Sequence, residues 1–151
     1  MKNTEIGEDR VRARLALHHV GIAVENIADA TDRYVRTFGY EVRSGVVHDP
    51  LQTAYVQFLR LPGDSVYVEF VSPDGPNSKL SNAIKKGGGL NHVCYGTSDI
   101  AAACVDLRAQ GLMLLRPPVP AVAFGGRRIA WFMGRDRVPV ELVEAAPPGE
   151  L

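Results

Sequence analysis

Residues 15–39, LALHHVGIAVENIADATDRYVRTFG, decide the fold. From Leu15 to Val24 the residues are apolar and β-branched enough for a strand, and from Ile27 onward apolar side chains recur at helical spacing. Gly39 then stands where a left-handed cap would close the helix. Three strand-like stretches follow, Tyr40 to Val47, Thr53 to Leu61 and Ser65 to Val71, the last two joined by a Pro62-Gly63-Asp64 turn. The order is β, α, β, β, β.

The same order returns from Leu90. LNHVCYGT reads as a strand, IAAACVDLRAQ as a helix ending at Gly111, and LMLLR, RRIAWFM and VPVELVE as three strands. His19 precedes Glu69 by 50 positions and His92 precedes Glu141 by 49, and each histidine is followed eight residues later by the isoleucine that opens a helix, Ile27 or Ile100. A repeat this regular predicts duplicated modules packed against one another. The chain therefore divides into an N-terminal extension (1–14), a first βαβββ module (15–72), a linker with a short helix from about Ser78 to Lys86 (73–89), a second βαβββ module (90–145) and a tail (146–151). The expected fold class is α+β.

Composition narrows the function. With 46% hydrophobic and 23% charged residues the chain is of ordinary globular type, and 17 basic against 17 acidic side chains give no field that would gather nucleic acid. Residues 1–14 lack the apolar run of a signal peptide, and no segment is apolar for long enough to span a bilayer, so a cytoplasmic protein without membrane contact is expected. Cys94 and Cys104 fit no metal-knuckle or disulfide pattern and read as reduced fillers.

Four residues stand out. Strand residues two apart share a face, so His19 points with Gly21 and Ala23, and His92 points with Cys94 and Gly96. Each histidine thus has small neighbours that leave a concavity beside it. Glu69 and Glu141 sit in strands whose opposite faces are apolar, where a carboxylate is costly to bury unless paired or bound to a cation. A lone strand histidine is more often a core residue than a ligand, but repeat-related positions reverse those odds. Two imidazoles and two carboxylates suit a divalent cation such as Co, Zn, Ni, Mn or Fe. Strict alternation turns His18 to the other face, which favours a role supporting the ligands or a structural one over ligation, and His48 reads as a loop residue beside Asp49-Pro50.

The string HHVGIAVENIADATDRYVRTFGYEV resembles the opening of vicinal oxygen chelate proteins, and SKLSNAIKKGGGLNHVCY resembles the linker and following strand of methylmalonyl-CoA epimerases. The resemblance implies paired βαβββ modules in a curved eight-stranded sheet with helices outside and a metal on the concave side. It places the metal ligands on His19, Glu69, His92 and Glu141. It implies a metal-dependent epimerase or isomerase that removes a proton alpha to a thioester or carbonyl through a metal-stabilised enolate, with Glu141 and Glu69 as catalytic bases on opposite sides. The implied partner is a small-molecule substrate of the acyl-CoA thioester kind, and the implied assembly is a homodimer.

The chain departs from that pattern in two places. Val56 stands where some epimerases carry a further glutamate, and Met133-Gly134-Arg135-Asp136 replaces a His-Pro. Gln52 and Gln57 are candidates for substrate hydrogen bonds, Lys85, Lys86, Arg127 and Arg128 for binding CoA phosphates, and the Phe124-Gly125-Gly126 turn for close backbone approach to a ligand. Alternatives that stay open are a glyoxalase I-like lactoylglutathione lyase, which uses the same four-ligand set, and a small-molecule binding protein of the antibiotic-resistance kind. Non-haem iron oxygenation is disfavoured, because it calls for two histidines and one carboxylate.

Overall fold

The computed structural model describes residues 14–151, so the proposed extension lies almost wholly outside the described residues. The elements are β1 (Leu15–Ala23), α1 (Ile27–Phe38), β2 (Glu41–Val42), β3 (Val47–Asp49), β4 (Ala54–Arg60), β5 (Tyr67–Pro73), α2 (Ser81–Lys85), β6 (Gly89–Thr97), α3 (Ile100–Ala109), β7 (Met113–Pro120), a 3-10 turn (Val122–Phe124), β8 (Arg128–Met133) and β9 (Pro139–Glu144). The α+β class and the module order agree with the expectation.

The helices begin and end where their caps dictate. Asn26 accepts a hydrogen bond from the Asp29 amide at 3.0 Å and opens α1, and Asp99 accepts from the Ala102 amide at 3.0 Å and opens α3. Gly39, at φ 80°, donates its amide to Val35 and ends α1. Each helix lies on the outer face of its own module. Ile27 and Ala30 pack on Leu59 and Phe70, and Ile100 and Ala103 pack on Ala130, Phe132 and Leu142.

The strands run β2-β4-β5-β1-β6-β9-β8-β7, with β3 paired to β4 beside this path. Within each module the first strand pairs parallel with the last, β1 with β5 and β6 with β9, and β1 meets β6 antiparallel at the seam. The two halves of the sheet are thus related by an approximate twofold through that seam. The sheet has nine strands where the sequence predicts eight, because the stretch from Tyr40 to Val47 breaks at Ser44-Gly45. There the Ser44 hydroxyl oxygen accepts the Phe58 amide at 3.0 Å and takes the place of a backbone ladder bond. β2 and β3 are the pieces on either side. The linker helix is also shorter than expected, beginning at Ser81 after turns centred on Ser78, whose hydroxyl bonds the Thr53 carbonyl at 2.6 Å. Among the described residues, no helix is long and apolar enough to cross a membrane.

Candidate metal centre

Each module delivers one histidine from its first strand and one glutamate from its last. His19 on β1 and Glu69 on β5 come from the first half, His92 on β6 and Glu141 on β9 from the second. The four converge under the curve of the sheet and are nearly sealed from solvent, at 0%, 5%, 2% and 3% exposure in that order. His19 Nε2 lies 3.0 Å from Glu69 Oε2 and 3.4 Å from Glu141 Oε2, and His92 Nε2 lies 3.0 and 3.3 Å from the same two oxygens. The two Nε2 atoms are 3.1 Å apart.

These separations suit a shared cation. Nitrogen and oxygen bound to a first-row divalent metal at about 2.0–2.2 Å stand about 3.0–3.5 Å from one another on neighbouring vertices. Two imidazole nitrogens and two carboxylate oxygens, all buried and within 4.8 Å of one another, form a donor set of the kind a divalent cation satisfies. Gly21 offers no side chain under the His92 ring, and Cys94, its repeat-related counterpart, pairs with His19 across the seam. The residues present therefore fit a divalent cation, and all four predicted ligands are brought together.

Electrostatics agree with the donor set. Burial by itself would lower the His92 pKa, but hydrogen bonds and charge from Glu141 and Glu69 outweigh it and raise it to about 10. His19 is likewise raised despite burial, by the charge of Glu69 and the hydrogen bonds of both carboxylates. Burial would raise the two carboxyls, yet the facing histidines hold both below the usual range. Without a cation, protons on the imidazoles balance the carboxylates.

Other expectations are corrected. His18 does not face away. It is an extra residue on β1 at an irregularity in the β1–β6 pairing, and its Nδ1 lies 2.7 Å from His19 Nδ1. Its ring stacks on Tyr67 and meets Phe58 and Phe124 edge-on, and burial, then the charge of His19, lowers its pKa to about 4. His48 belongs to β3 and bonds Asp74 at 2.9 Å. Gln57 is turned outward, accepting from Thr31 of α1 at 2.9 Å and donating to the Ser44 carbonyl at 3.1 Å. Cys94 and Cys104, by contrast, are the free, buried thiols that the sequence predicts, and burial pushes both upward in pKa.

A cavity of about 420 Å3 opens onto Glu69, His92 and Glu141. Val56, Val71, Ala123 and Ile129 give it an apolar wall, Gln52 and Asn91 add polar groups, and Lys79 and Arg116 stand among its lining. Both cations reach the Leu51 carbonyl, at 3.0 and 3.4 Å, one from the linker and one from β7. Sequence reasoning missed this pair, since neither residue sits at a repeat-related position. The cations it chose lie elsewhere: Arg127 bonds the carbonyls of Phe124, Glu144 and Leu151, Arg128 pairs with Glu144 at 2.7 Å, and Lys85 and Lys86 are not part of the cavity wall. Phe124 of the expected turn does line it. So does Trp131, whose ring meets His92 edge-on at 4.9 Å and whose buried Nε1 has no hydrogen-bond partner among the described residues.

The model of the Glyoxalase/Bleomycin resistance protein/Dioxygenase superfamily matches residues 18–131, and the chain belongs to that superfamily. Within it, the chain is similar to methylmalonyl-CoA epimerases. It is 32% identical over 123 residues to the ethylmalonyl-CoA/methylmalonyl-CoA epimerase of Cereibacter sphaeroides, covering 80% of this chain and 89% of the relative. It is 29% identical to the mitochondrial methylmalonyl-CoA epimerase of Dictyostelium discoideum, over 85% of this chain and 77% of that one. A Streptomyces coelicolor methylmalonyl-CoA epimerase variant, solved in complex with 2-nitronate-propionyl-CoA, superposes with a TM-score of 0.77 at 26% identity, covering 89% of this chain and all of that one.

Proposed function

We propose that the protein is a metal-dependent epimerase that moves the proton alpha to the thioester carbonyl of a 2-substituted malonyl-type CoA ester. The observation that carries this reading is the meeting of Glu69 and Glu141, contributed by opposite modules, in one buried centre beneath a largely apolar cavity. The similarity to epimerases supports the substrate class.

His19, Glu69, His92 and Glu141 would hold the cation, and when bound it would supply Lewis acidity to a substrate oxygen. The protein's own residues do the rest. A carboxylate oxygen of Glu141 or Glu69 removes the C2 proton from one face, and the other glutamate, entering the cycle as the carboxylic acid, delivers its proton to the opposite face, so that the two end in exchanged protonation states. The wall formed by Val56, Val71 and Ile129 keeps water from the carbanion. Lys79 and Arg116 attract the anionic tail of the substrate. Cytoplasmic location and homodimeric assembly belong to the same proposal.

A glyoxalase-type isomerisation of a hemithioacetal is the second reading. It is favoured by Val56, which leaves β4 without an acid and so leaves Glu69 and Glu141, both candidate ligands, as the bases: shifting a proton between adjacent carbons on one face engages one of them, whereas epimerisation engages both. Proton NMR of methylmalonyl-CoA in D2O with Co(II)-loaded protein separates them. Chelator-sensitive loss of the C2 proton signal is the expected result. No exchange, with lactoylglutathione formed from methylglyoxal and glutathione, would move the assignment to the second reading. Ligand binding that survives both chelator and Glu141→Ala would move it to a binding protein.

A further inference from the structure

β1 and β6 fall out of step at two places, and each lies immediately before a histidine of the centre. Leu17 faces Tyr95 while His19 faces Cys94, so His18 is an extra residue on β1; Gly21 faces His92 while Ile22 faces Leu90, so Asn91 is an extra residue on β6. The two irregularities are separated by the same 73 positions that separate His19 from His92. An extra residue in a ladder escapes strict alternation and re-aims its side chain. Here both side chains are re-aimed onto the following histidine. His18 Nδ1 lies 2.7 Å from His19 Nδ1, and Asn91 Oδ1 lies 2.8 Å from His92 Nδ1.

We propose that His18 and Asn91 are a matched pair of positioning residues, each accepting the Nδ1 proton of the next histidine and so fixing the tautomer that presents its Nε2 lone pair to a cation. The proposal rests on reading the quartet as a metal centre. Asn91 Oδ1 can only accept, so the proton it meets belongs to His92 Nδ1, and Nε2 is left to face Glu69 and Glu141. His18 does the same for His19 with an imidazole nitrogen in place of an amide oxygen. The repeat thus conserves the function of the position while using different side chains. Holding a ligand ring by its other nitrogen sets its orientation and basicity, and losing such a hold typically weakens metal binding about 10–100-fold.

The test is Co(II) affinity of the full chain, read from its visible spectrum, together with the imidazole nitrogen and proton signals of the Zn(II)-loaded protein by NMR. His18→Phe keeps a ring against Tyr67 and Phe58 but removes the acceptor; His18→Asn restores an acceptor of the kind found at position 91. Asn91→Leu and Asn91→His make the same pair of changes in the second module. Expected are a loss of about 10-fold or more for His18→Phe and Asn91→Leu, with the corresponding Nδ1 proton signal lost, and recovery to within about threefold for His18→Asn and Asn91→His. Should His18→Phe fail to fold, the Asn91 pair decides. Unchanged affinity and unchanged Nδ1 signals in His18→Phe and Asn91→Leu would overturn the proposal, as would His18→Asn binding no better than His18→Phe. Wild-type protein that takes up no Co(II) would instead overturn the metal centre itself.

Discussion

Gly21 and His92 occupy one space: a Cβ placed on Gly21 would lie 2.0 Å from Cε1 and 2.2 Å from Nδ1 of the His92 ring. The imidazole of one module is laid over the bare backbone of the other. Gly21→Ala is therefore expected to push His92 out of the quartet, lowering metal affinity at least about 10-fold. Overpacking should cost only about 1–3 kcal/mol of stability. Calorimetric titration with Co(II), alongside a thermal melt of the metal-free variant, checks both; unchanged affinity would mean that His92 does not ligate.

Glu141→Gln keeps the size of the side chain and removes its basicity. Turnover should fall about 10²–10⁴-fold if the carboxylate moves the substrate proton. Far-UV circular dichroism should match the parent protein. Glu69→Gln should fall as far in the epimerisation assay, since each face needs its own base, and by less in single-face proton exchange. Full activity of both variants with added metal would remove these residues from the chemistry.

The pH dependence of the metal-free protein follows from the sign of each shift. His92 is raised from 6.5 to about 10, so its contribution to stability is fully present below pH 6.5 and is lost as pH rises through about 10. Glu69 and Glu141 are lowered from 4.5, so their contribution is present above that value and is lost as pH falls through their depressed folded values. Metal-free protein should thus be stabilised most by this centre between about pH 4.5 and 6.5. A cation must displace the His92 proton, so its stabilising effect should grow from pH 6 toward pH 9. Melting curves with Zn(II) and with chelator across that range measure the difference, and a Zn(II) effect that shrinks with pH would contradict it.

Lys79 and Arg116 should act on binding more than on chemistry. Reversing both to glutamate is expected to raise KM for a CoA thioester roughly tenfold while kcat changes little, on the basis of about 1 kcal/mol or less for each exposed charge contact. The effect should shrink at high salt. Equal KM in variant and parent would exclude the pair from substrate recognition.

Trp131 is the single tryptophan of the chain and touches His92. Its fluorescence should be quenched as paramagnetic Co(II) binds, saturating at one equivalent per chain. Quenching absent while calorimetry shows binding would place the cation elsewhere.

Much of the architecture was legible because it is written twice. The His19–Glu69 and His92–Glu141 spacings, set against two copies of strand-then-helix, locate the same place in each module, and the structure brings those four side chains together. What could not be read are departures from period two. Alternation assigns His18 to the far face, and only an irregular backbone pairing turns it inward. Gln57 reads as well for a cavity as for a helix partner until Thr31 of α1 is placed over it. Ser44 breaks a strand by lending its side chain to the Phe58 amide, a tertiary bond with no local signature. Lys79 and Arg116 become neighbours only through the curl of the sheet, 37 positions apart in the chain.

Neither module owns the centre: each brings half of a set that meets only across the β1–β6 seam. A bound cation would therefore be a rivet between halves as well as a reagent. A chain severed in the glycine run at 87–89, after α2, would yield two fragments whose reassembly is governed by metal as much as by shared hydrogen bonds. Zinc or cobalt concentration would then set how much whole protein exists, so that the fold itself becomes a logic gate requiring both pieces and the ion.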